Sequence, residues 1–333
     1  MVKIIVGIDI AKNVFQVHAA DGTGATAYTK KLSRRQVLPF FAKHAAALIG
    51  MEACATSHYW ARELIKLGHD VRLLPPTVVK PFVKRGKKND AADAAAICEA
   101  MVRPNIHSVP VKTEEQQSVL ALHTVREQLV GARTGFVNAV RAHFAEHGIV
   151  VGLGRGKLAE LTTMRLHLPD HTAFAVDILL GRIEDFDADI ARIEKKLIEF
   201  HKTCEESCNL ATIPSVGPLT ATLIVAKIGD PSRFKRGRNF AAWLGMVPRQ
   251  NSSGGKDRLG AITKAGDQSI RRMLFLGATS LVWRAKPDTW LGKLRGRKPA
   301  KLAAMAQANK TARIIWAVLT RGEVYRETMV AAA

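Results

Sequence analysis

The sequence predicts an α/β plus α protein: a mixed-sheet domain first, a helical, coiled-coil-like middle next, and a mainly helical C-terminal part last. Three observations predict it. Strand runs and helix runs alternate over the first hundred residues. From Glu114 the apolar residues recur at helical spacing, and further on they settle into a 3.5-residue repeat. The last third is apolar, helix-like sequence interrupted by short turns rich in Gly, Pro and Ser. The expected domain boundaries are 1–108, 109–205 and 206–333.

In the first part, KIIVGIDIA, VFQVHAADG and ATAYTKKL read as three consecutive strands with a turn at Asp21 and Gly22. Ser33 and Gln36 stand at capping-box spacing, so a helix follows them. AALIGMEA is a fourth strand. TSHYWARELIKLG is a helix closed by Gly68. DVRLLPP is a fifth strand stopped by Pro75 and Pro76. NDAADAAAICEAMV is alanine-rich and strongly helical. The order is βββαβαβα.

In the middle, residues 114–148 are helical, and Arg126, Arg133 and Arg141 recur about every two turns on one broad face. That face is either a solvated basic surface or a stripe that tracks phosphates. VVGLGRGKLAE carries Gly152, Gly154 and Gly156 at a spacing that no dinucleotide fingerprint has, and reads as a flexible loop. Leu179, Ile183, Phe186, Ile190, Ile193, Leu197 and Phe200 alternate four and three apart, which fits a coiled coil between copies or an intramolecular helical hairpin.

In the C-terminal third, IPSVG and the small-residue helix after it resemble the hairpin of a helix–hairpin–helix element, with the turn at Gly217 presenting backbone N–H groups to a phosphate. An ordinary helix-packing corner is the other reading. PRQNSSGGKDRLG holds Ser252 and Ser253 in a polar, glycine-loosened stretch that is either a linker or a mobile loop. Basic residues surround it: Lys235, Arg236 and Arg238 before, and Lys256, Arg258, Lys264, Arg271 and Arg272 after. The tail RAKPDTWLGKLRGRKPAK is basic, then apolar, and reads as a phosphate-contacting segment followed by a closing helix.

The balance of charge narrows the partner. The formal net charge is +21 and the pI near 10.2. Lysines and arginines in such excess favour a polyanion, since they release counterions from phosphate backbones. No run approaches the ~18 apolar residues of a spanning helix, and the basic residues are dispersed, so nucleic acid is expected and a membrane is not. The N-terminal stretch MVKIIVGIDIAK is too short in its apolar run for a signal peptide and is interrupted by Asp9. Cys54, Cys98, Cys204 and Cys208 lack the partners of a zinc site and read as free thiols in a reducing cytoplasm.

Two strands share a further pattern. IVGID ends in Asp9 and LIGME ends in Glu52, each with a Gly that allows a ligand or another backbone to come close. Asp90 and Asp93 lie three apart at a helix start and share one face. Taken singly, a strand-end acid is a turn residue and Asp90 an N-cap. If all four converge, they repel unless a cation sits between them. Mg²⁺, or Mn²⁺, is the natural ion for an all-carboxylate set.

Strand order and acids together resemble the ribonuclease H-like fold in its RuvC branch. GIDIAK, the acid in MEA and the pair in KNDAADA resemble more narrowly the DEDD transposase family of bacterial insertion sequences, relatives of the Piv/MooV invertases that are understood as bridge-RNA-guided recombinases. GMVPRQNSSGG with ITKAGD and IRRML resembles the C-terminal transposase domain of the same family. The resemblance implies metal binding by Asp9, Glu52, Asp90 and Asp93. It implies a nucleophilic serine just before a glycine, which places the role on Ser253, with Ser252 as the register-slip alternative. It further implies DNA as substrate, a structured guide RNA, a dimer or tetramer, a site shared between subunits and a bacterial, nucleoid-associated location. Two other expectations compete: a metal-only Holliday-junction endonuclease in which water attacks, and a non-catalytic nucleic-acid-binding protein.

Overall fold

Phe15, Val17 and Ala19 are fully buried between more exposed neighbours, and that period of two makes Val14–Ala20 a strand with one face in a core. The computed structural model describes residues 4–83, 89–103, 106–152, 154, 156–256 and 258–327. The chain divides into two compact units, residues 1–114 and 115–333.

Unit 1 is a five-stranded sheet of β1 (Ile5–Ile10), β2 (Val14–Ala20), β3 (Thr26–Ser33), β4 (Leu48–Glu52) and β5 (Asp70–Leu74) in the order β3-β2-β1-β4-β5. β1, β2 and β3 pair antiparallel; β1, β4 and β5 pair parallel. The helices are α1 (Val37–Phe41), α2 (Ser57–Lys66), the one-turn α3 (Pro76–Val79) and α4 (Asp90–Met101). Apart from α3 this is the order read from the sequence, and the mixed sheet is consistent with a ribonuclease H-like domain. The local signals hold for physical reasons. Asp21 Oδ1 accepts from the N–H groups of Thr23 and Ala25 and closes the β2–β3 turn. Gln36 Oε1 accepts from Ser33 N–H at 2.9 Å. Gly68 takes φ +91°, where a side chain would be strained, and ends α2. One sheet face packs Val6, Ile8, Ile49 and Met51 with Trp60 and Leu64 of α2. The opposite face packs Leu48 and Leu74 with Ile97 and Met101 of α4.

Unit 2 contains α5 (Glu114–Ala145), α6 (Gly156–Thr163), α7 (Asp170–Thr203), α8 (Glu205–Ala211), α9 (Pro218–Ile228), α10 (Gly237–Trp243), β6 (Pro248–Gln250), β7 (Leu259–Ile262), α11 (Gln268–Arg284), α12 (Trp290–Arg297) and α13 (Ala300–Arg321). Leu274 and Ala278 of α11 pack with Ala308 and Ile315 of α13 in its main core. α5 and α7 run antiparallel: Arg126 pairs with Glu194 at 2.6 Å, Arg133 pairs with Asp187, and the rings of Phe136 and Phe186 lie 5.3 Å apart. Ile183, Ile190 and Leu197 of the 3.5-residue repeat are buried there. Of the two arrangements that the spacing fits, the intramolecular helical hairpin is the one present. The seam is filled by a helix of the same chain, and spacing alone does not say which chain supplies a partner helix. Leu153 and Arg155 of the glycine-rich stretch and the basic run 84–88 lie outside the described residues, and Gly156 opens α6.

Candidate active site

The register of two parallel strands brings the first two acids together. Gly7 pairs with Gly50 and Ile8 with Met51, so Asp9 and Glu52 stand one step further along neighbouring strands, each two residues past its glycine and on the same sheet face. That face is the one α4 covers. A Cβ at Gly7 would lie 2.2 Å from Ala94 O and 2.7 Å from Cys98 N; one at Gly50 would lie 2.6 Å from the Met101 side chain. At Gly7 the close approach is that of the α4 backbone, and at Gly50 that of α4 side chains. The glycines let α4 lie directly on β1 and β4, with its first turn toward the ends that carry the acids. Gly7→Ala should therefore destabilise unit 1 by about 3 kcal/mol or more, since neither backbone can yield cheaply. Gly131→Ala, in open space on α5, should stabilise by up to about 1 kcal/mol. Thermal melts of the two variants check both signs.

At the start of α4 the cap is Asn89, whose side chain accepts from Ala92 N–H at 2.8 Å. Capping therefore does not account for Asp90, which occupies the first helical position, with Asp93 one turn on. The four carboxylates interact. Asp9 is half-buried, and its carboxyl is raised to about 6 by burial first, then by Asp93, Asp90 and Glu52, against a lowering hydrogen bond from Ile10 N–H. Among the described residues, no group of three or more His, Cys, Asp or Glu side chains is arranged to hold a metal ion as it stands. The donor chemistry nevertheless fits a hard divalent cation. All four are carboxylates, the donor type a hard divalent cation takes, and Asp90, Asp93 and Glu52 each act on Asp9 in the direction that a cation would relieve.

In unit 2 the serine stretch is neither linker nor loose loop. β6 and β7 pair antiparallel, Ser253 bridges Lys256, and Lys256 N–H donates to Ser253 O at 3.2 Å. Gly254 and Gly255 both take positive φ, +57° and +75°, as a two-residue primed hairpin turn demands. The two serines differ. Ser252 Oγ accepts from Arg258 N–H at 3.3 Å and helps hold the hairpin closed. The hydroxyl of Ser253, at the turn and exposed, has no hydrogen-bond partner among the described residues.

The basic residues sort into two groups. Lys235, Arg236 and Arg238 around the start of α10, and Lys256 and Arg258 on the hairpin, are exposed. Lys264 is exposed at the hairpin base in a left-handed conformation, φ +57°. The others are engaged within the protein. Arg126 and Arg133 clasp α7, and Arg141 donates to Gly154 O at 2.9 Å. Arg271 donates to the carbonyls of Leu244 and Gly266, and Arg272 pairs with Glu127 at 3.0 Å. At the α8–α9 corner the left-handed residue is Ser215, φ +73°, while Gly217 has φ −87° and precedes α9. A Cβ at Gly277 would lie 2.4 Å from Ser215 O, so this turn is packed onto α11, as a packing corner would be. Two exposed tryptophans, Trp283 and Trp290, were passed over in the sequence. Their signal was available, as indoles set in a run of lysines and arginines.

Both units have known relatives. A family model for a transposase, DEDD_Tnp_IS110, matches residues 6–149. A second, described as Transposase IS116/IS110/IS902 family, matches residues 207–291. The chain is 43% identical to the "Probable family 20 transposase" of Pseudomonas aeruginosa over 96% of its own length and 98% of that protein. It is 38% identical to the "Transposase for insertion sequence element IS1328" of Yersinia enterocolitica, over 96% and 98% of the two chains. It is 37% identical to the "Transposase for insertion sequence element IS1111A" of Coxiella burnetii, over 97% and 91%. Among the described residues no helix is long and apolar enough to cross a membrane.

Proposed function

The chain belongs to the IS116/IS110/IS902 family of insertion-sequence transposases with a DEDD domain, and from that premise we propose that it cuts and rejoins DNA with Ser253 as nucleophile and with Asp9, Glu52, Asp90 and Asp93 as the seat of a divalent cation. As a transposase it is a DNA-processing enzyme. The observation that carries the reading is the placement of Asp9 and Glu52 on one sheet face under α4, whose first turn carries Asp90 and Asp93.

Mg²⁺ or Mn²⁺ held by the four acids would supply positive charge for the scissile phosphate and ease ionisation of an attacking hydroxyl. The protein's own residues do the rest. Ser253 Oγ forms a bond to phosphorus while the bond from phosphorus to the 3′ oxygen breaks, leaving a 5′-phosphoserine link and a free 3′-hydroxyl. Rejoining is the reverse attack by a 3′-hydroxyl on that link, so no external energy source is required. Exposed Lys256 and Arg258 flank the serine and would hold the phosphates on either side of it. Lys235, Arg236 and Arg238 would extend that contact, and a Cβ at Gly217 would meet open space, so the start of α9 would be free for a further phosphate. In this reading a structured RNA chooses the sites by base pairing, homo-oligomeric copies complete the site, and residues 1–108, 109–205 and 206–333 carry the acids, the helical hairpin and the serine.

Metal removal tests the reading. Scission of labelled DNA carrying the element's ends should vanish in EDTA and return on adding Mg²⁺ or Mn²⁺. Scission that survives chelation would refute the role given to the four acids.

A further inference from the structure

The end of unit 2 carries two aromatic rings that are not in a core. Trp283, at the end of α11, is 62% exposed, and Trp290, at the start of α12, is 48% exposed. Indoles this open to water are unusual for residues that bury readily. Each has a cation laid over it: the Arg295 guanidinium lies 4.9 Å from the ring centre of Trp283, and Lys310 Nζ lies 4.9 Å from that of Trp290.

The support is rigid. Arg295 donates to Val282 O at 3.3 Å, and Leu291 and Leu294 pack α12 onto the core. Thr289 caps α12 by accepting from Gly292 N–H at 3.1 Å. A Cβ at Gly292 would lie 1.9 Å from Lys286 O, so only glycine lets the connecting turn fold back this tightly. Around the rings, Lys286, Lys293, Arg297, Lys298 and Lys301 are exposed, and between Trp283 and Lys301 Asp288 is the sole acid.

We propose that this face is a stacking platform for unpaired nucleotides, with bases on the tryptophans and phosphates on the surrounding lysines and arginines. In a duplex the base faces are already stacked on one another, so the rings select strands that are open. The surrounding charge excludes an acid-poor apolar partner and complements a polyanion. The proposal deepens the transposase reading and rests on it for the nature of the partner, but not on the serine or on the four acids.

The test uses the full chain and three labelled probes, oligo(dT), oligo(U) and a blunt DNA duplex, followed by fluorescence anisotropy. Trp283→Ala and Trp290→Ala should each weaken single-strand binding about tenfold, with the duplex affinity and the salt dependence unchanged. Trp→Phe at either position should restore most of the loss. Loss on oligo(dT) alone assigns the platform to a DNA strand, loss on oligo(U) alone to an RNA, and loss on both to either. Single-strand affinity retained in the double alanine variant, or an equal loss on the duplex, overturns the proposal. Metal-dependent scission is measured on the same preparations. Its absence with the stacking loss intact refutes the reaction and leaves the platform; its presence with no stacking loss does the reverse.

Discussion

Ser253→Ala removes the covalent protein–DNA adduct, and Ser252→Ala keeps it: this is the expected outcome on a denaturing gel of end-labelled DNA. Removing an attacking atom lowers the rate on the order of a thousandfold or more, because no neighbouring group replaces it. The hairpin explains why two adjacent serines should differ so much. Ser252 Oγ is the acceptor for Arg258 N–H, so its loss loosens the pairing of β6 and β7 by about 1 kcal/mol. Ser253 sits before two glycines of positive φ with its hydroxyl exposed and without a partner among the described residues. DNA binding should be unchanged in Ser253→Ala, since Lys256 and Arg258 are untouched. Scission that persists in that variant without an adduct would mean that water attacks and that the hairpin only contacts DNA. An undiminished adduct would remove Ser253 from the reaction.

The parts of this fold that were legible in the sequence are those set by short-range chemistry. A β-branched run marks β1, alternation marks β2, Ser33 and Gln36 mark a helix start, and Gly68 marks a helix end, because each signal and its partner lie within a few residues. The placement of Asp9 and Glu52 is local in the same way: each follows a glycine at a spacing of two, and α4 lies close over both glycines. Long-range partners were not legible. Arg126 and Arg133 look like a surface stripe until α7 arrives, with Glu194 and Asp187 lying 68 and 54 residues away. Arg271 likewise turned inward to backbone carbonyls that no periodicity announces. SSGG reads as a loop in the sequence because β6 is only three residues long, too short for a strand pattern to register. The adjacent glycines were nonetheless a two-residue hairpin signal.

Asp9→Asn should abolish scission and, in metal-free protein, raise the thermal midpoint. The two effects have opposite signs because they report different states of one cluster. The Asp9 carboxyl holds its proton up to about pH 6 in the folded chain, against 3.8 for the free group. Between those values the folded state binds a proton that the unfolded chain has released, so the contribution to stability is full below about pH 4 and is lost as pH rises through 6. A shift of that size would be worth about 3 kcal/mol for an isolated group, and solvent screening at a half-buried carboxyl leaves about 1 kcal/mol. Asparagine keeps the shape and removes the charge that Asp93, Asp90 and Glu52 repel. The variant should therefore melt a few degrees above the parent at pH 7 and level with it near pH 4, when both are followed by calorimetry in EDTA. Adding Mg²⁺ or Mn²⁺ should invert the order at pH 7, since the cation stabilises only a cluster that retains its full charge. A parent protein whose midpoint ignores divalent cations, or an Asn variant that gains as much from them, would show that the four acids do not act together on an ion.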